Sequence, residues 1–427
     1  MTRAISVWRR ALLAAPIVIL AGLSVQEMMA AGPVVAVVPC VPNVVQFTTI
    51  QGAVNAVPPG ATIKVCPANY PEQVVVNKNL ILTGVNSGTA DNPVLVIPSG
   101  GFAPNTASLT SGHPIAAQIL VQSPATAVTI SNLAVDGSNN NLNSGCDDAR
   151  LIAIYYQNAS GTVNFVAARN QAQNAANFGC QGSAGLGIFV QSASPSSSTV
   201  RIQNSTVRGY QKNGITGNEV GTTVTITGNV VVGAGPTTTA QNGIQVGFGA
   251  TGKVQTNTVA DDDFNGDPAA GTGSGILIFD SGNMTISGNS VTNAQNGIPI
   301  VTDGTLPADN NTVTNNHVSD THLGDGIDIC SNNNTISGNT VFSSGQAGIH
   351  LDSSCGSTGA NNIVSKNTVN EACAGILLGS GGGNTFPMPN IVANVANTTL
   401  AGDVCTPTML TARRSGSPGR SARPARP

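Results

Sequence analysis

The sequence predicts an all-β fold, a single-stranded right-handed parallel β-helix with a short N-terminal capping helix. Three observations predict it. An Asn followed within one or two residues by Thr or Val recurs at Asn204, Asn229, Asn257, Asn289, Asn316, Asn339 and Asn367. Each is followed by a Gly-Ile pair, at Ile215, Ile244, Ile276, Ile298, Ile327, Ile349 and Ile376, and equivalent residues lie 22 to 32 apart, the interval of a solenoid. Between them, short segments such as Thr335-Ile336-Ser337 and Ile349-His350-Leu351 alternate apolar and polar residues with period two, which is a strand signal. Helical i, i+3, i+4 spacing is missing there. Stacking the seven Ile as one inner column lets each coil bury an apolar side that it could not bury alone. Parallel strands joined one coil at a time favour the right-handed sense.

From the N-terminus, residues 1–31 read as an export signal: basic at Arg3, Arg9 and Arg10, apolar from Ala11 to Gly22, and small at Ala30-Ala31. The apolar run is short for a membrane span, and no later segment qualifies as one. The chain is therefore expected to be secreted, periplasmic or in the cell envelope. Eight Cys fit an oxidising compartment, and local closure suggests Cys40–Cys66, Cys146–Cys180, Cys330–Cys355 and Cys373–Cys405. Thr48 to Val57 reads as the capping helix, with Ile50, Val54 and Val57 on one side and Pro58-Pro59-Gly60 ending it. Strands are expected at 62–65, 73–76 and 80–82, then at 94–97, 118–121, 128–135, 151–156, 162–166 and 187–190. The β-helix is assigned to residues 44–383, a C-terminal cap region to 384–411 and a disordered Arg/Pro-rich tail to 412–427.

The opening words resemble a known family. Thr49-Ile50-Gln51, Gly60-Ala61-Thr62-Ile63, Tyr70-Pro71-Glu72 and Leu80-Ile81-Leu82-Thr83-Gly84 resemble the N-terminal end of pectinesterase-like proteins of the pectin-lyase-like superfamily. The resemblance runs from about residue 46 to 383 and implies the β-helix. It does not specify a reaction, because that scaffold serves lyases, hydrolases, esterases and noncatalytic proteins. The esterase words are absent: Leu277-Ile278-Phe279-Asp280 is a superficial match, and the single Trp, Trp8, lies in the signal. Of the galacturonan-hydrolase words only Asp147-Asp148 is present.

Charge narrows the partners. Residues 32 to 411 hold 9 basic and 19 acidic residues, which disfavours nucleic acid. A strongly acidic polymer would need calcium or local basic residues, and no outward basic pair is evident. The main functional expectation is binding of an extended neutral or weakly charged polysaccharide or surface glycan by a monomer, with amide and hydroxyl groups on the outer face and Tyr155 and Tyr156 as stacking residues. Two alternatives stand beside it: a polysaccharide lyase or glycoside hydrolase, and a noncatalytic adhesion or surface protein.

The catalytic candidates are Asp325, Asp328, His350 and Asp352. Asp325 and Asp328 flank the inner Ile327, and one coil later His350 matches Asp328, about 4.8 Å away across parallel strands. Clustered carboxylates raise one pKa and make a general acid, and a His beside an Asp makes a base. The bland account pairs His350 with Asp328 on a solvated face. Both should point outward, so truncation should cost on the order of 0.5 kcal/mol or less. Calcium is the cation that the oxygen-rich sets Asp261-Asp262-Asp263 with Asp267, and Asp325, Asp328 and Asp352, would suit, and solvated turns explain both equally well. His113, His317 and His322 read as surface residues.

Overall fold

The computed structural model describes residues 32–86, 92–173, 179–182, 184–267 and 271–401. The export signal, the 412–427 tail and Cys405 lie outside them. Each complete coil contributes three short strands. The first face is a 13-stranded parallel ladder whose later members are Thr251–Gln255, Thr285–Ser287, Thr312–Thr314, Thr335–Ser337 and Ile363–Ser365. The second and third faces share a 23-stranded sheet. In the coil that begins at Thr251–Gln255, Thr258–Ala260 is on the second face and Ser274–Phe279 on the third. The strands form a right-handed β-helix, parallel throughout except where Thr106–Ala107 runs antiparallel to Pro114–Gln122 in an early insertion. Among the described residues, parallel strands extend from Val34–Val37 to Asn397–Ala401, on both sides of the 44–383 span.

The Ile column is continuous. Ile215 pairs in register with Ile244, Ile244 with Ile276, Ile298 with Ile327, Ile327 with Ile349, and Ile349 with Ile376. It continues upstream through Ile188, Ile154 and Ile119 to Val74. The Gly before each Ile has a packing reason. A Cβ on Gly214, Gly243, Gly275, Gly297, Gly326, Gly348 or Gly375 would run into a Cγ1 of the Val column on the second face, Val231, Val259, Val291, Val318, Val341, Val369 and Val392.

The Asn row is two rows. The buried ladder is Asn229, Asn257, Asn289, Asn316, Asn339 and Asn367, ending at the half-exposed Asn390. From Asn257 onward each Oδ1 accepts from the backbone N–H and side-chain amide of the Asn one coil earlier, as Asn289 does from Asn257 at 3.0 Å for both. The left-handed bend belongs to the residue before: Asn204, Gly228, Thr256, Gly288, Asn315, Gly338 and Lys366 have φ of 50° to 69°. Asn204 is thus a bend residue, not a ladder member, and Ser205 holds its ladder position, donating its backbone N–H to Asn229 Oδ1. A second buried ladder, Asn311, Asn334 and Asn362, ends at Asn384 before the first face.

Expected and observed elements differ in detail. The helix is Ile50–Ala56, capped by the Thr49 hydroxyl. The Glu72 carboxylate accepts the N–H groups of Ile50 and Gln51, both at 2.9 Å, where the helix dipole favours an anion. The 128–135 strand is broken at Asn132, φ 55°, into Val128–Ser131 and Ala134–Asp136. Cys40–Cys66, Cys146–Cys180 and Cys330–Cys355 form as expected, and Cys373 is also disulfide-bonded.

Candidate active site in a cleft on the third face

Third-face strands turn the residue after each Ile away from the core, which builds an outer row Tyr155, Phe189, Thr216, Gln245, Leu277, Pro299, Asp328, His350 and Leu377. Insertions cover its early part. Leu109 N–H donates to Gln191 Oε1, Thr106 Oγ1 to Gln157 Oε1 and Thr110 Oγ1 to Glu219 Oε1. Tyr155 and Tyr156 are therefore not stacking residues for a ligand. Both are fully buried: Tyr155 stacks on Phe189 at 4.8 Å and donates to Gln191, and Tyr156 points into the core and donates to Val128 O.

Further along, the same face opens as a cleft of about 360 Å³. Leu277, Phe279, Pro299 and Val301 give it an apolar floor, Lys212, Asn242, Ser274 and Asn296 add polar groups, and Asp303 and Asp328 bring carboxyls. The Cys330–Cys355 disulfide ties one wall down, and Gly356 N–H donates to Thr302 O across it.

The four predicted site residues do come together. Asp328 pairs in register with His350. Ligand atoms of Asp325, Asp328 and His350 all lie within 4.8 Å of one another. The partner of His350 is not Asp328. Its Nδ1–H donates to Asp325 Oδ2 at 3.0 Å, while Asp325 Oδ1 accepts the Ala347 N–H at 2.8 Å. Nε2 faces Asp352 Oδ1 at 4.0 Å, and Asp352 is itself held by Ser354. The outward direction holds but exposure does not: the four residues are 3% to 8% exposed. Truncation there removes buried hydrogen-bonding groups, so the 0.5 kcal/mol expectation is too small.

Burial changes the proton balance. Burial, then the Asp352 carboxylate, pushes Asp328 well above the usual carboxylate range, which favours its protonated form. Burial opposes charge on His350, but the adjacent Asp325 carboxylate outweighs it and lifts the ring to about 9. Asp328 Oδ1 and His350 Nε2 are buried without a hydrogen-bond partner. A protonated carboxyl at a cleft, beside an imidazolium, is a general-acid arrangement.

The other acidic set does not converge. Asp262 accepts from Tyr210 Oη at 2.6 Å, Asp261 accepts from Asn293, and Asp263 accepts from the Phe264 N–H. Asp147 and Asp148 are not among the cleft-lining residues. His317 and His322 are exposed, and His113 is half-buried against Asp148 O. Sequence reasoning missed Lys212 and Asp303. The one available signal for Lys212 was its place directly before an Asn-Gly-Ile word.

A family model described as periplasmic copper-binding protein (NosD) matches residues 249–404. The A-module of mannuronan C-5 epimerase AlgE4 from Azotobacter vinelandii superposes with a TM-score of 0.54 at 12% identity, over 82% of this chain and 91% of that one. The GH136 lacto-N-biosidase from Eubacterium ramulus gives 0.57 at 12% identity, over 85% and 67%. Like these structures, the chain folds as a right-handed parallel β-helix. At these identities the likeness is one of fold. No curated protein matches in sequence. Among the described residues, no helix is long and apolar enough to cross a membrane.

Proposed function

We propose that this is an exported carbohydrate-active enzyme that cleaves a polysaccharide in the third-face cleft, with Asp328 as proton donor. The observation that carries the reading is a buried carboxyl, raised in pKa, that lines a 360 Å³ cleft in register with His350. The proton of Asp328 goes to the glycosidic oxygen as the C–O bond breaks. The carboxylate left behind lies beside His350, which the Asp325 carboxylate keeps cationic. Asp303, exposed on the same cleft, is the carboxylate we assign to take the proton of the attacking water. Two similar structures, an epimerase and a biosidase, act on glycans by their names, which supports the substrate class. The disulfides and the periplasmic name of the matching family model support export.

Copper does not fit this donor set well. It offers one imidazole with carboxylates, no thioether and no free thiol, because no described Cys is free. Calcium prefers six to eight oxygens, and here an imidazole takes one of the positions. No step is therefore routed through a metal.

The test is a panel of neutral, uronate and amino-sugar polymers, read for reducing or unsaturated ends. Turnover lost in Asp328→Asn, with the thermal unfolding transition kept, is expected. Turnover that survives both Asp328→Asn and His350→Gln would overturn the assignment. A second reading, noncatalytic glycan binding, is favoured by the half-exposed hydroxyl rows of the first face, Thr285, Thr312 and Thr335 beside Ser287, Thr314 and Ser337. Binding without turnover, unaffected by Asp328→Asn, would select it.

A further inference from the structure

The nine basic residues of the body offer no cationic track in sequence, yet Lys212 lies buried on the cleft with Arg150 buried behind it, two third-face strands away. Lys212 is 5% exposed, lines the cleft, and its Nζ donates to Gln181 Oε1 at 2.9 Å. Arg150 is 2% exposed, two third-face strands away, and its Nε and Nη1 have no hydrogen-bond partner. Among the described residues neither cation has a carboxylate partner. Burial, then the charge of Arg150, pulls Lys212 down to about 7, and burial pulls Arg150 down to about 9. Two like charges out of water without a counter-ion are costly to hold. An anion entering from the cleft removes that cost.

Polar groups continue from there. Asn242, Ser274 and Asn296 follow Lys212 coil by coil towards Asp325 and Asp328, and Asn242 Oδ1 is buried without a partner. Four strand spacings, about 19 Å, separate the coil of Lys212 from that of Asp328. That is a length for several sugar rings, with hydroxyl-binding groups between a cation and an acid. The body carries 19 acidic against 9 basic residues, which disfavours a densely charged chain such as a highly sulfated one.

We propose that Lys212, backed by Arg150, is the subsite for the carboxylate of an acidic sugar residue, at the end of the cleft remote from Asp328. This rests on the reading of the cleft as a glycan site and revises the expectation of a neutral or weakly charged ligand. Lys212 is a positioning residue, because it sits too far from Asp328 to touch the reacting bond.

The experiment compares uronate oligosaccharides with their carboxyl-reduced counterparts, titrated calorimetrically into the full chain, Lys212→Met, Arg150→Met and Asp328→Asn. The wild type should bind the acidic oligomer at least tenfold tighter than the reduced one. Lys212→Met should erase that preference while leaving affinity for the reduced oligomer within about twofold. Asp328→Asn should keep the preference even where turnover is lost, which separates this subsite from the catalytic assignment. Thermal unfolding should not be lowered in Lys212→Met, because an uncompensated buried charge is removed. Equal affinity for the two oligomers, or a preference untouched by both Lys212→Met and Arg150→Met, would overturn the subsite. So would equal competition by inorganic sulfate, which would mark a general anion site. Binding confined to the reduced oligomer would overturn it while leaving the glycan reading in place.

Discussion

Two buried carboxyls on this solenoid, Asp262 and Asp328, differ in what surrounds them. Burial raises both well above the usual carboxylate range. Asp262 is 0% exposed and accepts from Tyr210, itself fully buried. It has no route to solvent or ligand and ties the 261–267 insertion to the coil two below it. Asp328 is 8% exposed, lines the cleft, and sits beside His350, Asp325 and Asp352. Burial alone makes a weak acid of any carboxyl. Access to a cleft, and a cation to stabilise the anion left behind, make one that can work.

The largest stability effect should be shared by both regions. Ile244→Ala near Asp262 and Ile327→Ala near Asp328 both empty the inner column, and each should cost roughly 2–5 kcal/mol in chemical denaturation. A much smaller loss at Ile327 would mean the coils around the cleft are packed more loosely than those around Asp262. Asn289→Ala breaks a ladder that runs through both regions and strands the Asn257 backbone N–H, while its side-chain amide keeps only Ile226 O as acceptor, at about 1–3 kcal/mol. Asn315→Ala, at the left-handed bend beside that ladder, should cost less, since no buried donor is orphaned.

The two carboxyls should then separate. Asp262→Asn is expected to leave turnover within about threefold, while Asp328→Asn lowers it by about 10²–10⁴-fold. Equal losses would place Asp328 in the same structural role as Asp262. His350 adds a pH signature. Its folded pKa, about 9, lies above the unfolded value of 6.5, so its contribution is complete below about pH 6.5 and lost as pH rises through 9. The difference in melting temperature between wild type and His350→Gln should therefore shrink across that window. A difference that grows with pH would reject the Asp325–His350 ion pair. Least of all should change on chelation: EDTA is expected to leave turnover unaltered, and restoration by an added divalent cation would recast Asp328 as a ligand.

Much of the fold was legible because period and register are local. Gly-Ile words recur where a Val from the second face needs the room of a missing Cβ, and that requirement is visible residue by residue. The earliest coils were harder to read because Ala153 stands where later coils have Gly, so Ile154 lacks the word. Asn204 was misplaced by one residue, since the bend position takes Asn, Gly, Thr or Lys while the ladder position takes Asn or Ser. The pairing of Asp328 with His350 followed from register alone. What was not legible came from long range. The cover over the early part of the third face is made by contacts such as Leu109 with Gln191, 82 residues apart, and Tyr155 is buried beneath it. Lys212 and Arg150 are 62 positions apart in the chain, and no short window holds both.

The central claim, that Asp328 holds a proton at neutral pH at the cleft, is most directly tested by carbon-13 NMR of side-chain carboxyl-labelled Asp. At pH 7 the account predicts separate protonated signals from Asp262 and Asp328, one lost in Asp262→Asn and the other in Asp328→Asn. Only the Asp328 signal should shift when an oligosaccharide binds. An Asp328 carboxyl already ionised at pH 7, or one indifferent to ligand, would contradict it.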